Sequence, residues 1–191
     1  MNGVLEFLRK HLFQLLIIVL FSMILVVSVK VLLSNAKSFS DELVASDMQQ
    51  LQTIFKRIDD SCKILGFDHQ ENFVDFLTVQ MFVSSEVGSM NLAYPDKWEG
   101  PYVDDNPTVQ GEVYRIIKTR KGYYLVPGRN VQLSNGIVLD RDLIFDEQAD
   151  IDAMIADQNK LMFRGKPLAV KISVQGSKDG RKHEVHLPLA A

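Results

Sequence analysis

The chain has 191 residues, 47% of them hydrophobic, a single cysteine and a net charge of −3 with a pI near 5.8. That balance offers no broad basic face for nucleic acid. Cys62 alone permits neither an intrachain disulfide nor a cysteine metal cluster, and no Asn-x-Ser/Thr site for N-glycosylation is present.

In chain order, residues 1–11 are a short N-terminal stretch. Residues 12–29, LFQLLIIVLFSMILVVSV, are 18 residues without a charge. As a helix they reach about 27 Å, close to the ~30 Å hydrocarbon core of a bilayer. Val31, Leu32 and Leu33 add a further turn, because Lys30 can extend its stem and leave its ammonium among the headgroups. The segment 12–33 reads as a transmembrane anchor. Arg9, Lys10 and His11 precede it, so the positive-inside bias places residues 1–11 in the cytoplasm and residues 34–191 outside, in a single pass through the inner membrane. A cleaved secretory signal is the rival reading, with Ser34-Asn35-Ala36 as its small-residue site. Its apolar core is too long for that class, and Lys30 lies between core and site. A buried helix of a soluble protein would show a polar stripe, and here only Gln14, Ser22 and Ser28 interrupt the run.

Residues 34–191 have the size of one ordinary domain. Val44, Met48, Leu51, Phe55, Ile58, Cys62 and Leu65 follow spacings of 4, 3, 4, 3, 4 and 3, which predicts a helix over 41–65 that stops at Gly66. The stripe either lies on the domain's own core or forms a coiled-coil seam to another subunit, and Cys62 on it reads as a small buried apolar residue. Asp68-His69-Gln70-Glu71 has capping-box form and predicts a helix over 69–86, with Phe73, Phe76, Leu77 and Met81 inward and Gly88 ending it. His69 then stands in a solvated first turn. Within the loop 91–107, Tyr94-Pro95-Asp96-Lys97-Trp98-Glu99-Gly100-Pro101-Tyr102 is rich in rings and turn residues and reads as packed rather than loose.

Beyond Pro107 the pattern turns to short strands. Glu112–Thr119 and Tyr123–Val126 flank Arg120-Lys121-Gly122 as a hairpin, and Asn135-Gly136 between two apolar triplets is a second hairpin signal. Glu147–Lys160 reads as a short helix with Ile151, Met154 and Ile155 inward. Leu168–Val174 and Arg181–Leu187 around a glycine-containing loop form a last hairpin. The expected domain is α+β: helices first, then an antiparallel sheet over 112–187 holding the helix 147–160.

This layout resembles a type IV pilin or a type II secretion pseudopilin. The resemblance is carried by the 12–33 run, the 44–65 stripe, Trp98-Glu99-Gly100-Pro101-Tyr102 and the meander from 112 onward. The Trp98, Gly100, Pro101 and Tyr102 loop looks like that of major pseudopilins. The stretches Val126-Pro127-Gly128, Leu133-Ser134-Asn135-Gly136 and Leu143-Ile144-Phe145 are similar to the sheet segment of minor ones. The resemblance implies a pilin-like fold, a role in protein transport or pilus assembly, and partners that are the membrane and other subunits of a membrane machine. The family's leader is basic and ends in Gly before Phe-Thr-Leu-Ile-Glu. Here Gly3 is followed by Val4-Leu5-Glu6, and Arg9, Lys10 and His11 fall inside the part that a fibre would bury. An Arg or Lys at the centre of a membrane helix costs ~2.5–3.5 kcal/mol even on insertion scales. Either the chain is pilin-like and stays anchored without conventional polymerisation, or the likeness is architectural only.

An enzyme needs a convergent set of groups, and none is legible: no Gly-rich phosphate loop, no G-x-S-x-G, no HExxH. His183 and His186 sit in an expected strand, where side chains three apart face opposite ways. Asp140, Asp142, Asp146, Glu147, Asp150 and Asp152 crowd thirteen residues. Oxygen clusters suit calcium, and some pseudopilins hold calcium in a late loop, which makes Asp140, Asp142 and Asp146 the candidates. The EF-hand spacing is missing, however, and the plainer reading is a solvated loop with Asp146 capping the helix that follows. No other cofactor is expected. The leading functional expectation is a non-enzymatic, membrane-anchored pilin-like subunit. The alternative is an anchored extracytoplasmic ligand-binding or sensor domain, for which the short cytoplasmic stretch leaves no output domain.

Overall fold

The structure is a computed structural model. It describes the backbone of residues 2–81 and 86–174, and the side chains among them except those of 2–9, 34–37 and 86–87. The chain forms two compact units, Met1–Phe39 and Ser40–Ala191.

The first unit is helical. Neither Gly nor Pro occurs between Val4 and Leu65, so nothing interrupts the helix α1, which runs over Asn2–Cys62. Its most apolar 18-residue window has a mean hydropathy of 2.9, and none of that window is buried against protein. One helix near the N-terminus is therefore long and apolar enough to span a membrane. Ser22 does not break the apolar surface, because its hydroxyl donates to the Ile18 carbonyl one turn back at 2.8 Å.

The second unit is α+β. Val44, Ala45, Met48, Leu51, Phe55, Ile58 and Cys62 of α1 are all buried in the unit's own core. The Phe55 ring meets Phe67 and Phe76 edge-on, with centroids 6.4 and 6.2 Å away. The helix stops three residues before its predicted end. Lys63 adopts a left-handed φ of 58°. The Asp59 carboxylate takes the Ile64 amide at 3.0 Å, turning the chain into a strand. Leu65 consequently leaves the stripe and is 51% exposed.

Strand β1 (Ile64–Phe67) pairs with β4 (Met90–Leu92), which pairs with β3 (Glu86–Val87). The principal sheet has four antiparallel strands in the order β11 (Val170–Ile172), β8 (Gly122–Val126), β7 (Arg115–Thr119), β2 (Glu71–Phe73). Two ribbons complete the set: β5 (Thr108–Val109) with β6 (Glu112–Val113), and β9 (Met162–Phe163) with β10 (Lys166–Pro167).

The helix predicted over 69–86 is absent. Its place holds β2, a 3-10 turn at Asp75–Thr78 and, after residues 82–85 outside the described set, β3. Two causes are visible. Asn72 exchanges hydrogen bonds with the backbone of His69, its amide donating to the carbonyl at 2.7 Å and its oxygen accepting the amide at 3.2 Å. That closed local turn competes with a first helical turn. Residues 71–73 then pair with Ile117, Ile116 and Arg115 of β7, and tertiary pairing overrides the local pattern. Only Phe76 and Leu77 of the expected inward face are buried, while Phe73 is half exposed and Met81 is 81% exposed.

Glu112–Thr119 is not one strand either. It divides at Tyr114 into β6, closed on β5 by a turn at Gln110 and Gly111 with φ of 53° and 83°, and β7. The β7–β8 hairpin turns between Thr119 and Gly122. At Asn135-Gly136 the chain does turn, with the Gly136 amide on the Leu133 carbonyl at 2.9 Å, but the flanks join through a single bridge, Gln132 to Val138. The helix predicted over 147–160 shrinks to α2 (Ile151–Ala156). Asp150, rather than Asp146, caps it by accepting the Ala153 amide, and Asp157 ends it by turning to the Asn159 amide. Of the last predicted hairpin, only β11 lies among the described residues; Arg181–Leu187 and the loop before it fall outside them.

Candidate functional site

The polar chemistry of the second unit is concentrated on three carboxylates of α1, one buried arginine and the tryptophan loop. Asp41, at the start of the unit, is 2% exposed. Its two oxygens accept the Ser134 amide at 3.1 and 3.0 Å, and the Ser134 hydroxyl donates to it as well. Next to it, Gln110 donates to the Ser40 hydroxyl at 3.0 Å and exchanges hydrogen bonds with the backbone of Gln132. The 130–134 segment is thereby fastened to the helix. Two turns on, Asp47 accepts the phenol of the fully buried Tyr114 at 2.6 Å. Burial, and then the adjacent carboxylate, push the Tyr114 hydroxyl far above the usual tyrosine range. Asp59 holds the Ile64 amide, as described.

Arg115 lies at the junction of β2, β7 and the 127–140 segment and is 2% exposed. Its guanidinium donates to Glu71 at 2.6 Å, to Asp140 at 2.5 Å and to the Pro127 carbonyl at 3.4 Å. Arg129 donates to both oxygens of Glu71 from the solvent side. Burial acts to raise the Glu71 carboxyl, but the hydrogen bonds from Arg129 and Arg115 outweigh it and leave the group below the ordinary glutamate range. Among the described residues, no buried side-chain nitrogen or oxygen lacks a hydrogen-bond partner. The buried polar groups thus fasten elements together, and none is aimed unpartnered into a cavity.

In the tryptophan loop, Trp98 donates through Nε1 to the Val79 carbonyl at 3.0 Å and meets Tyr102 edge-on at 4.8 Å. Tyr102 in turn hangs from the Leu77 carbonyl by its amide at 2.8 Å. Gly100 is needed by contact: a Cβ there would stand 2.2 Å from the Val79 carbonyl oxygen and 2.3 Å from the indole nitrogen. Pro101 follows it and lines a groove of about 410 Å³ together with Asp47, Gln50, Tyr102, Asp104 and Asp105. The outer side of the loop is tied to α1 by Arg57, which pairs with Glu99 at 2.7 Å and lies 5.5 Å over the Tyr102 ring.

The acidic residues that sequence spacing groups together do not converge. Asp140 faces Arg115, Asp142 takes Arg141 and the Val138 amide at 2.8 Å, and Asp146 accepts the Gln148 amide at 2.9 Å. Asp150 pairs with Lys121 at 2.5 Å, and Asp152 takes the Tyr124 phenol at 2.7 Å. Each carboxylate is engaged by a different partner, and among the described residues no three acidic, histidine or cysteine side chains form a group able to hold a metal ion. The three calcium candidates, Asp140, Asp142 and Asp146, thus each serve a separate ion pair or turn. His183 and His186 lie outside the described residues. Cys62 is buried, and that burial raises its thiol pKa.

The Arg115 cluster is the feature that sequence reading missed. Glu71 and Asp140 lie 44 and 25 residues from Arg115 in the chain, and the only local sign was an arginine within an apolar strand run, Tyr114-Arg115-Ile116-Ile117. Taken together, an uncharged membrane-length helix segment and an α+β domain built on the continuation of the same helix define the class of this chain. No protein-family model, no curated protein and no solved structure matches it.

Proposed function

We propose that this chain is a single-pass subunit of a pilin-like secretion or pilus-type assembly in the inner membrane, with residues 1–11 in the cytoplasm, 12–33 in the bilayer and the α+β domain outside. The observation that carries the reading is that α1 holds an uncharged apolar stretch and then a stripe buried in an antiparallel-sheet domain. A protein of this build has no use for so long an exposed apolar surface except in lipid or against other helices. The positive-inside bias of Arg9 and Lys10 supports the orientation.

The stripe from Val44 to Cys62 is taken up by the domain's own core. The helix face left outward carries Ser46, Gln49, Gln50, Thr53, Lys56, Arg57 and Asp60. That polar face makes a poor apolar seam, so subunit contact falls to the 12–33 segment. A photo-crosslinking residue placed at Leu16, Leu20 or Ile24 in native membranes tests this. Protein adducts from those positions, with none from Gln49 or Thr53, support the reading. Lipid adducts alone at every span position would refute assembly through the helix.

A further inference from the structure

We draw no further inference here: the strongest candidate, the groove of about 540 Å³ between the Gln52–Asp60 face of α1 and strand β11, is lined by Lys56 and Lys171 balanced against Asp59 and Asp60, and nothing among the described residues shows what covers it.

Discussion

Replacing Arg115 by methionine should be the most damaging single change among the polar residues of the second unit. The guanidinium is 2% exposed and faces two carboxylates, Glu71 and Asp140, that are 23% and 25% exposed. Removing one partner of a buried ion pair costs ~3–5 kcal/mol, because the remaining charges stay desolvated and unpaired. Here the carboxylates keep some access to water, and Glu71 keeps Arg129. The loss should therefore fall at about 3 kcal/mol, the lower end of that range. Arg115→Lys retains the charge but loses the fork that reaches both acids, and should fall between wild type and methionine. Trp98 is the only tryptophan, so its fluorescence during urea unfolding of the full-length chain in detergent micelles reports the domain alone. A methionine variant within ~0.5 kcal/mol of wild type, the usual range for surface substitutions, would refute the structural role assigned to the cluster.

Three further outcomes follow from the same geometry. Glu71 titrates below its ordinary range when folded, so its contribution is present above an unfolded pKa of about 4.3 and is lost as pH falls through the folded value; the urea midpoint should drop on acidification below about pH 5, and Glu71→Gln should flatten that drop. Gly100→Ala drives a methyl onto the Val79 carbonyl and the indole and should cost about 1–3 kcal/mol, with Trp98 emission shifting to the red as the displaced indole, buried in the wild type, meets water; an unshifted spectrum with full stability would show that the loop is loose. Tyr114 and Tyr124 are both held neutral, by burial first and then by Asp47 and Asp152. Their contribution is complete below the ordinary tyrosine value of ~10 and declines as pH rises toward the folded values. In an ultraviolet titration their ionisation should fall above the ordinary tyrosine value of ~10, and Tyr114→Phe should remove absorbance change from that late part of the curve only.

The parts of this fold that sequence alone makes legible are those written at short range. The stripe from Val44 to Cys62 is periodic over five turns of uninterrupted helix, and its reading needs no distant partner. The tryptophan loop announces itself by composition, although the reason for Gly100 depends on Val79, 21 residues earlier. What failed depends on long-range pairing. Residues 69–81 carry a respectable helical pattern, and only the edge of β7, more than forty residues on, makes a strand of 71–73. The helix end at Cys62 rather than Leu65 rests on Lys63 accepting a left-handed backbone, which local propensity disfavours. The acidic run from Asp140 to Asp152 was legible as a cluster, but sequence proximity does not carry convergence: Arg115, Arg141, Lys121 and Tyr124 each draw one carboxylate away.

Whether residues 12–33 hold this chain in a bilayer is decided by alkaline carbonate extraction of membranes from cells expressing the full-length protein. The wild-type chain should stay with the membrane pellet, and Leu20→Arg combined with Ile24→Arg should move it to the supernatant, since each arginine near the helix centre costs ~2.5–3.5 kcal/mol of insertion free energy. Release of the wild-type chain by carbonate, with the protein still folded, would mean that residues 12–33 do not span a bilayer.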